Sequence, residues 1–123
     1  MSVIKPVLRI FDYNKTIEFY VDWLGFKIDW THEFEPGTTP KFMQASFRDI
    51  ILFLSEHHGD GSPGVRITID EFKGLKEYHQ QLIDKKYKYN RPGLETPEWD
   101  PEYITMTVID PVGNKITFTE KVK

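Results

Sequence analysis

The feature that most constrains this chain is that it repeats itself. Sliding the sequence by 58 residues lays Val7 on Val65, Asp12 on Asp70 and Lys15 on Lys73. The same shift lays Ile17 on Leu75, Tyr20 on Tyr78 and Leu24 on Leu82. A slightly larger shift lays Leu52 on Ile116, Leu54 on Phe118 and Glu56 on Glu120. The repeats run over residues 3–56 and 63–120, joined by a linker at 57–62, within one domain of 1–123. Each half reads strand, helix, three strands. One βαβββ half cannot cover both faces of its small sheet. The expected fold is therefore α+β: two βαβββ modules forming a curled mixed sheet around a cleft. Such a cleft is a favourable place for a ligand.

The local pattern supplies the elements. Val3 to Phe11 reads as a strand, with Pro6 near its start, where proline is tolerated. Asp12 suits a helix N-cap, Ile17, Tyr20, Val21 and Leu24 recur at helical spacing, and Gly25 stops the helix. Strands follow at Phe26–Phe34, Phe42–Phe47 and Ile50–Ser55. In the second half Val65–Ile69 is a strand. Asp70 caps a helix bearing Phe72, Leu75, Tyr78 and Leu82. Tyr87–Tyr89, Tyr103–Ile109 and Ile116–Thr119 read as the remaining strands, with a turn at Asp110–Asn114.

Composition excludes several functions. The 123 residues include no cysteine, which removes disulfides, thiolate zinc sites and cysteine nucleophiles. A formal charge of -3 offers nucleic acid no basic field. No apolar run approaches the roughly 18 residues of a membrane span. Met1–Lys5 lacks the regions of a signal peptide, so a cytoplasmic location is expected. No Ser/His/Asp arrangement with a nucleophile turn appears, and no phosphate-cradling glycine loop. His57 and His58 read as a solvated loop pair and His79 as an exposed helix residue. His32 could act as an acid or base if it faced the cleft.

Aromatic residues make up 15% of the chain, which directs attention to where they fall. Trp30 and Phe34 share one strand face by the period of two. Phe42 and Phe47 fall on opposite faces of the next strand, and Trp99 lies in a late loop. Glu95, Glu98, Asp100 and Glu102 crowd around Trp99, while Asp29, Glu33 and Glu35 accompany Trp30. An acidic, aromatic groove would attract a flat cationic guest.

Two stretches carry a family resemblance. Asp12-Tyr13-Asn14-Lys15-Thr16-Ile17-Glu18-Phe19-Tyr20, followed by Asp22-Trp23-Leu24-Gly25-Phe26, resembles the first-helix signature of the glyoxalase/bleomycin-resistance (vicinal-oxygen-chelate) superfamily. Asp110-Pro111-Val112-Gly113-Asn114, leading into Ile116 and Phe118, resembles its closing hairpin. Pro6-Val7-Leu8, Glu18-Phe19-Tyr20, Leu52-Phe53-Leu54-Ser55 and the lone Trp99 are similar to the bleomycin-resistance-protein type. After Trp99 the chain departs from that type, with Asp100, Pro101 and Glu102 in place of the usual Gly and Arg.

The resemblance implies metal ligands from the first and fourth strand of each module. The matching positions hold Lys5, Phe53, Gly64 (or its neighbour Pro63) and Thr117, none a good ligand. No metal and no cofactor is expected. What the resemblance then implies is a metal-independent binder that sequesters a cationic, aromatic antibiotic of the bleomycin type in a dimer-interface groove. Asp29, Trp30, Phe34, Phe42, Trp99 and Glu102 would be the ligand-binding residues, and the partner a second copy of the chain with an exchanged Val3–Val7 arm. The alternatives are a superfamily enzyme, a metal-dependent lyase or dioxygenase-like, and a binder of another small metabolite.

Overall fold

The computed structural model describes residues 2–33, 35, 37 and 40–122. The chain divides into two compact units. The first comprises residues 1–65 with 110–114, and the second residues 66–109 with 115–123.

The first unit holds strand β1 (Val7–Arg9), helix α1 (Tyr13–Ile17) running on as a wider π-helical stretch (Glu18–Trp23), and strands β2 (Lys27–Glu33), β3 (Lys41–Phe47) and β4 (Ile50–Ser55). The four strands form one mixed sheet in the order β1-β4-β3-β2, with β1 parallel to β4 and the other pairs antiparallel. Asp12 caps α1 as the sequence requires, its Oδ1 accepting from the Lys15 amide at 3.0 Å. Gly25 follows the helix at φ +96°, where any side chain would be strained. The buried stripe is Phe19, Tyr20, Trp23 and Leu24. Ile17 and Val21, expected on that stripe, are only half-buried. The chain before Val7 is not strand, so β1 is shorter than the pattern predicts.

The stripe packs into the unit's core with Leu8, Ile10, Phe26, Met43, Ala45, Leu52 and Leu54, all at most 2% exposed. These strand residues alternate with less buried ones. Gln44, Phe42 and Phe53 therefore lie on the opposite face of the sheet.

The second unit holds β5 (Arg66–Ile69), α2 (Leu75–Asp84), β6 (Tyr103–Ile109) and β7 (Lys115–Lys121). Its sheet has the order β5-β7-β6, with β5 parallel and β6 antiparallel to β7. Leu75, Tyr78 and Leu82 of α2, together with Phe72, are buried with Ile104, Met106, Val108, Ile116 and Phe118. The strand expected at Tyr87–Tyr89 is not formed. Lys88 and Tyr89 form a turn instead, and the loop beyond carries Pro92, Pro97 and Pro101. A single bridge, Glu95 to Thr105, stands in the place of the missing strand.

Asp70 does not cap α2. Its Oδ1 accepts from the Thr119 hydroxyl at 2.6 Å and from the Glu71 amide at 3.0 Å. The cap is the Glu120 carboxylate, which accepts from the Gly74 and Leu75 amides at 3.1 and 3.0 Å. Two of the four orphan amides of the helix are satisfied this way, by a charged acceptor. Glu120→Ala is expected to lower stability by about 1–2 kcal/mol. A shift of the urea midpoint at unchanged slope is the check.

Candidate functional site

Two sheet faces carry the residues of interest, one in each unit, and they are described separately. On the first, the β2–β3 register slips between Ile28 and Trp30, so that Asp29 and Trp30 together face one position of β3. Strict alternation would put these neighbours on opposite faces. The bulge places both on the face that bears Phe42, Gln44 and Ser46. Trp30 stacks on Phe42 at 5.9 Å between ring centroids and 17° between planes, and meets Phe53 at 5.9 Å. Phe42 and Phe53 are 5.0 Å apart. The trio forms an apolar platform whose Trp30 is 44% exposed.

A polar row runs beside it. Lys5 Nζ donates to Gln44 Oε1 at 3.0 Å and lies 5.3 Å from the Phe53 ring centroid. Gln44 Nε2 donates to Asp29 Oδ2 at 3.0 Å, and Ser46 Oγ donates to Asp29 Oδ1 at 2.9 Å. Hydrogen bonds from Gln44 and then Ser46 hold the Asp29 carboxyl below its ordinary pKa, with Lys27 at 3.7 Å assisting. His32 pairs across from Phe42. Phe47 contacts Phe26 at 5.5 Å. Phe34 lies outside the described residues.

On the second unit, the sheet face away from α2 floors a cleft of about 700 Å³. Thr68, Thr105, Thr107, Thr117 and Thr119 line its floor. Thr107 and Thr117 share a hydrogen bond of 2.9 Å between hydroxyls. Arg66, Asp70, Glu95 and Asp100 add charge, and Trp99 and Tyr103 add rings 6.2 Å apart. Trp99 is 76% exposed. Glu102 does not line the cleft. Its carboxylate pairs with Lys121 Nζ at 3.6 Å.

Of the residues singled out in the sequence, Asp29, Trp30 and Phe42 come together on one face and Trp99 lines the cleft of the other unit. Arg66, Tyr103 and most of the threonine floor are not singled out by the sequence, and Phe53 and Thr117 enter there only as positions that a metal ligand would occupy. The signal for the floor was present: Thr105/Thr107 and Thr117/Thr119 each repeat with period two, which puts their hydroxyls on one face.

A βα unit with three strands, followed by a second βα unit with two strands, defines the class. The chain belongs to the glyoxalase superfamily, whose family description, "Glyoxalase superfamily protein", it matches over residues 1–123. Among solved structures it is similar to a bleomycin-binding protein complexed with bleomycin. The TM-score is 0.73 at 20% identity, covering 98% of this chain and 99% of that one. It is similar also to a bleomycin resistance determinant encoded on the transposon Tn5, with TM-score 0.73, 19% identity and 98% of each chain covered. A third is TnmS3, an antibiotic binding protein from Streptomyces sp. CB03234, with TM-score 0.68, 20% identity and coverage of 98% and 97%. No curated protein matches the chain.

The resemblance implies a divalent metal, and the residues that the sequence offers for it do not fit one. Lys5 presents an ammonium group, and Phe53 a ring beneath it. Gly64 has no side chain, and the Thr117 hydroxyl is engaged by Thr107. Among the described residues no three His, Asp or Glu side chains converge as a metal would need. No described helix is long and apolar enough to cross a membrane.

Proposed function

We propose that this protein is a metal-independent small-molecule binder of the bleomycin-resistance type. It sequesters a flat, cationic antibiotic without altering it. The observation that carries this reading is the second-unit cleft, where Trp99 stands exposed beside Tyr103 and three carboxylates, Asp70, Glu95 and Asp100. An exposed indole at the mouth of an acidic cleft gains most by covering a flat, positively charged group. Stacking and cation–π contacts of this kind contribute about 0.5–2 kcal/mol each. The acids would also steer a cation inward.

The platform of Trp30, Phe42 and Phe53 supports the same guest class, since it offers a second stacking surface. The neighbours named for bleomycin and antibiotic binding lend further support. A second copy of the chain is the partner assigned to it, in the cytoplasm. The exposed Val3 and Ile4 of the N-terminal segment favour a surface that another copy covers.

The test is a tryptophan-fluorescence titration with bleomycin. Saturable quenching with submicromolar affinity is expected. Trp99→Ala is expected to weaken binding at least about tenfold with the far-ultraviolet circular dichroism unchanged. No change up to about 100 μM drug would remove bleomycin as the guest and leave another small metabolite in its place.

A further inference from the structure

The register of the second sheet orders the cleft along its length. Arg66 pairs with Lys115 at one end. The next row inward is Thr68, Thr117 and Thr107. The row after that is Asp70, Thr119, Thr105 and Glu95, joined by the Thr119 hydroxyl to Asp70, the Thr119–Thr105 pairing and the Glu95–Thr105 bridge. Tyr103, with Trp99 and Asp100, closes the far end. Rows of one sheet face are two residues apart, so Arg66 and Asp70 stand about 13 Å apart along the strand direction.

The charges at the two ends differ in kind. Lys121, which pairs with Tyr103 in register, would put a cation at the acidic end, but Glu102 neutralises it at 3.6 Å. The Arg66 guanidinium, by contrast, makes no hydrogen bond or ion pair among the described residues, yet it lines the cleft. An unpaired guanidinium is a fork with five donors, shaped for a carboxylate or phosphate oxygen pair. Between the ends the floor is hydroxyl, which accepts and donates and so suits a polar middle.

We propose that the cleft selects an amphoteric ligand: a cationic group against Asp70 and Glu95 with its aromatic neighbour reaching on to Trp99 and Tyr103, and an anionic end on Arg66 about 13 Å from Asp70. This rests on the reading of the cleft as the ligand site and adds the class and orientation of what enters it. A purely cationic guest leaves Arg66 unmatched. A short amphoteric chain of peptide size satisfies both ends.

The probe is the tetrapeptide Phe-Gly-Gly-Gly with free ends. Its extended length sets its terminal charges about 13 Å apart, and it brings no indole to confuse the fluorescence. The same peptide with its C-terminus amidated loses the anion, and with its N-terminus acetylated loses the cation. The full chain is titrated with each, read by tryptophan emission. The free-ended peptide is expected to bind at least about tenfold more tightly than either blocked one. Arg66→Gln is expected to bring it down to the affinity of the amidated peptide and to leave the amidated peptide unchanged. Arg66→Lys is expected to restore part of the difference. Arg66 is exposed, so the substitutions leave the core intact.

Equal binding of the free and amidated peptides would overturn the proposal. So would an equal loss for both in Arg66→Gln, or no binding of any peptide up to about 10 mM. Bleomycin titrated in parallel separates the two readings. Quenching by bleomycin with failure of the peptides removes the amphoteric class and keeps the cleft. Peptide binding without bleomycin binding removes the antibiotic and keeps the ligand class.

Discussion

Replacing Asp110 by alanine is expected to destabilise the protein by about 3–5 kcal/mol. The carboxylate is 4% exposed and accepts four hydrogen bonds. Its Oδ1 takes the amides of Val112 and Asn114 at 3.1 and 2.8 Å. Its Oδ2 takes the Tyr20 hydroxyl at 2.7 Å and Asn114 Nδ2 at 2.9 Å. Alanine would leave these donors without their acceptor inside the first unit. Asn114 extends the network, with Nδ2 also donating to the Arg9 carbonyl and Oδ1 accepting from the Gly64 and Val65 amides. Its two donors and its acceptor oxygen are all used, so it cannot turn to rescue the orphans.

The same network fixes an alkaline limit. Burial first, then the Asp110 charge and hydrogen bond, push the Tyr20 phenol well above its ordinary range. The folded protein thus holds that proton more tightly than the unfolded chain. The resulting stability is complete below the unfolded pKa of about 10 and is lost as pH rises toward the folded value. Tyr20→Phe is expected to flatten this part of the curve above about pH 10, while costing some stability at neutral pH. Urea midpoints measured from neutral to alkaline pH on both proteins are the check. Parallel curves would show that Tyr20 is not the group responsible.

Phe118→Ala is expected to cost about 3–5 kcal/mol through the cavity it leaves. The ring is fully buried in the second unit and meets Phe72 at 5.0 Å and Tyr78 at 5.5 Å, both near edge-to-face. These partners belong to α2 and its approach, so the loss would loosen the helix from its sheet. Phe118→Leu, which keeps most of the volume, is expected to cost roughly 1–2 kcal/mol. Hydrogen exchange adds a spatial readout. Amides of α2 and β7 should lose more protection than those of β3 and β4. Uniform loss across both units would mean that they open together.

The plan of the fold was legible because it rests on periodicity. The alternation in β3 and β6, the apolar run of β4, the Asp12 cap and the Gly25 stop are all local signals, and each stands where the sequence puts it. The failures have one character. Asp70 looks like a helix cap, but Glu120 on β7, 46 residues from Gly74, takes that role from the strand beneath the helix. Tyr87–Tyr89 looks like a strand, but Lys88 and Tyr89 form a turn. Of the site, the sequence offers Trp30 and Phe42 as ligand-binding residues without relating their faces, and their stacking is set by the β2–β3 register. Asp29 joins them only through a bulge, which sequence alternation does not announce. Phe53 was read as a failed metal ligand when its ring completes the platform.

The proline loop has a consequence for how such a protein changes over generations. Among the described residues, the Glu95 bridge alone ties residues 91–99 to the sheet by a ladder contact. The loop nevertheless supplies Glu95, Pro97 and Trp99 to the cleft wall. Substitutions and length changes between Pro97 and Asp100 therefore redraw one wall of the cleft while the threonine floor and the buried cluster beneath it stay as they are. Novelty in what is held can accumulate there without eroding the scaffold, as in a tool whose jaw is replaced and whose handle is kept.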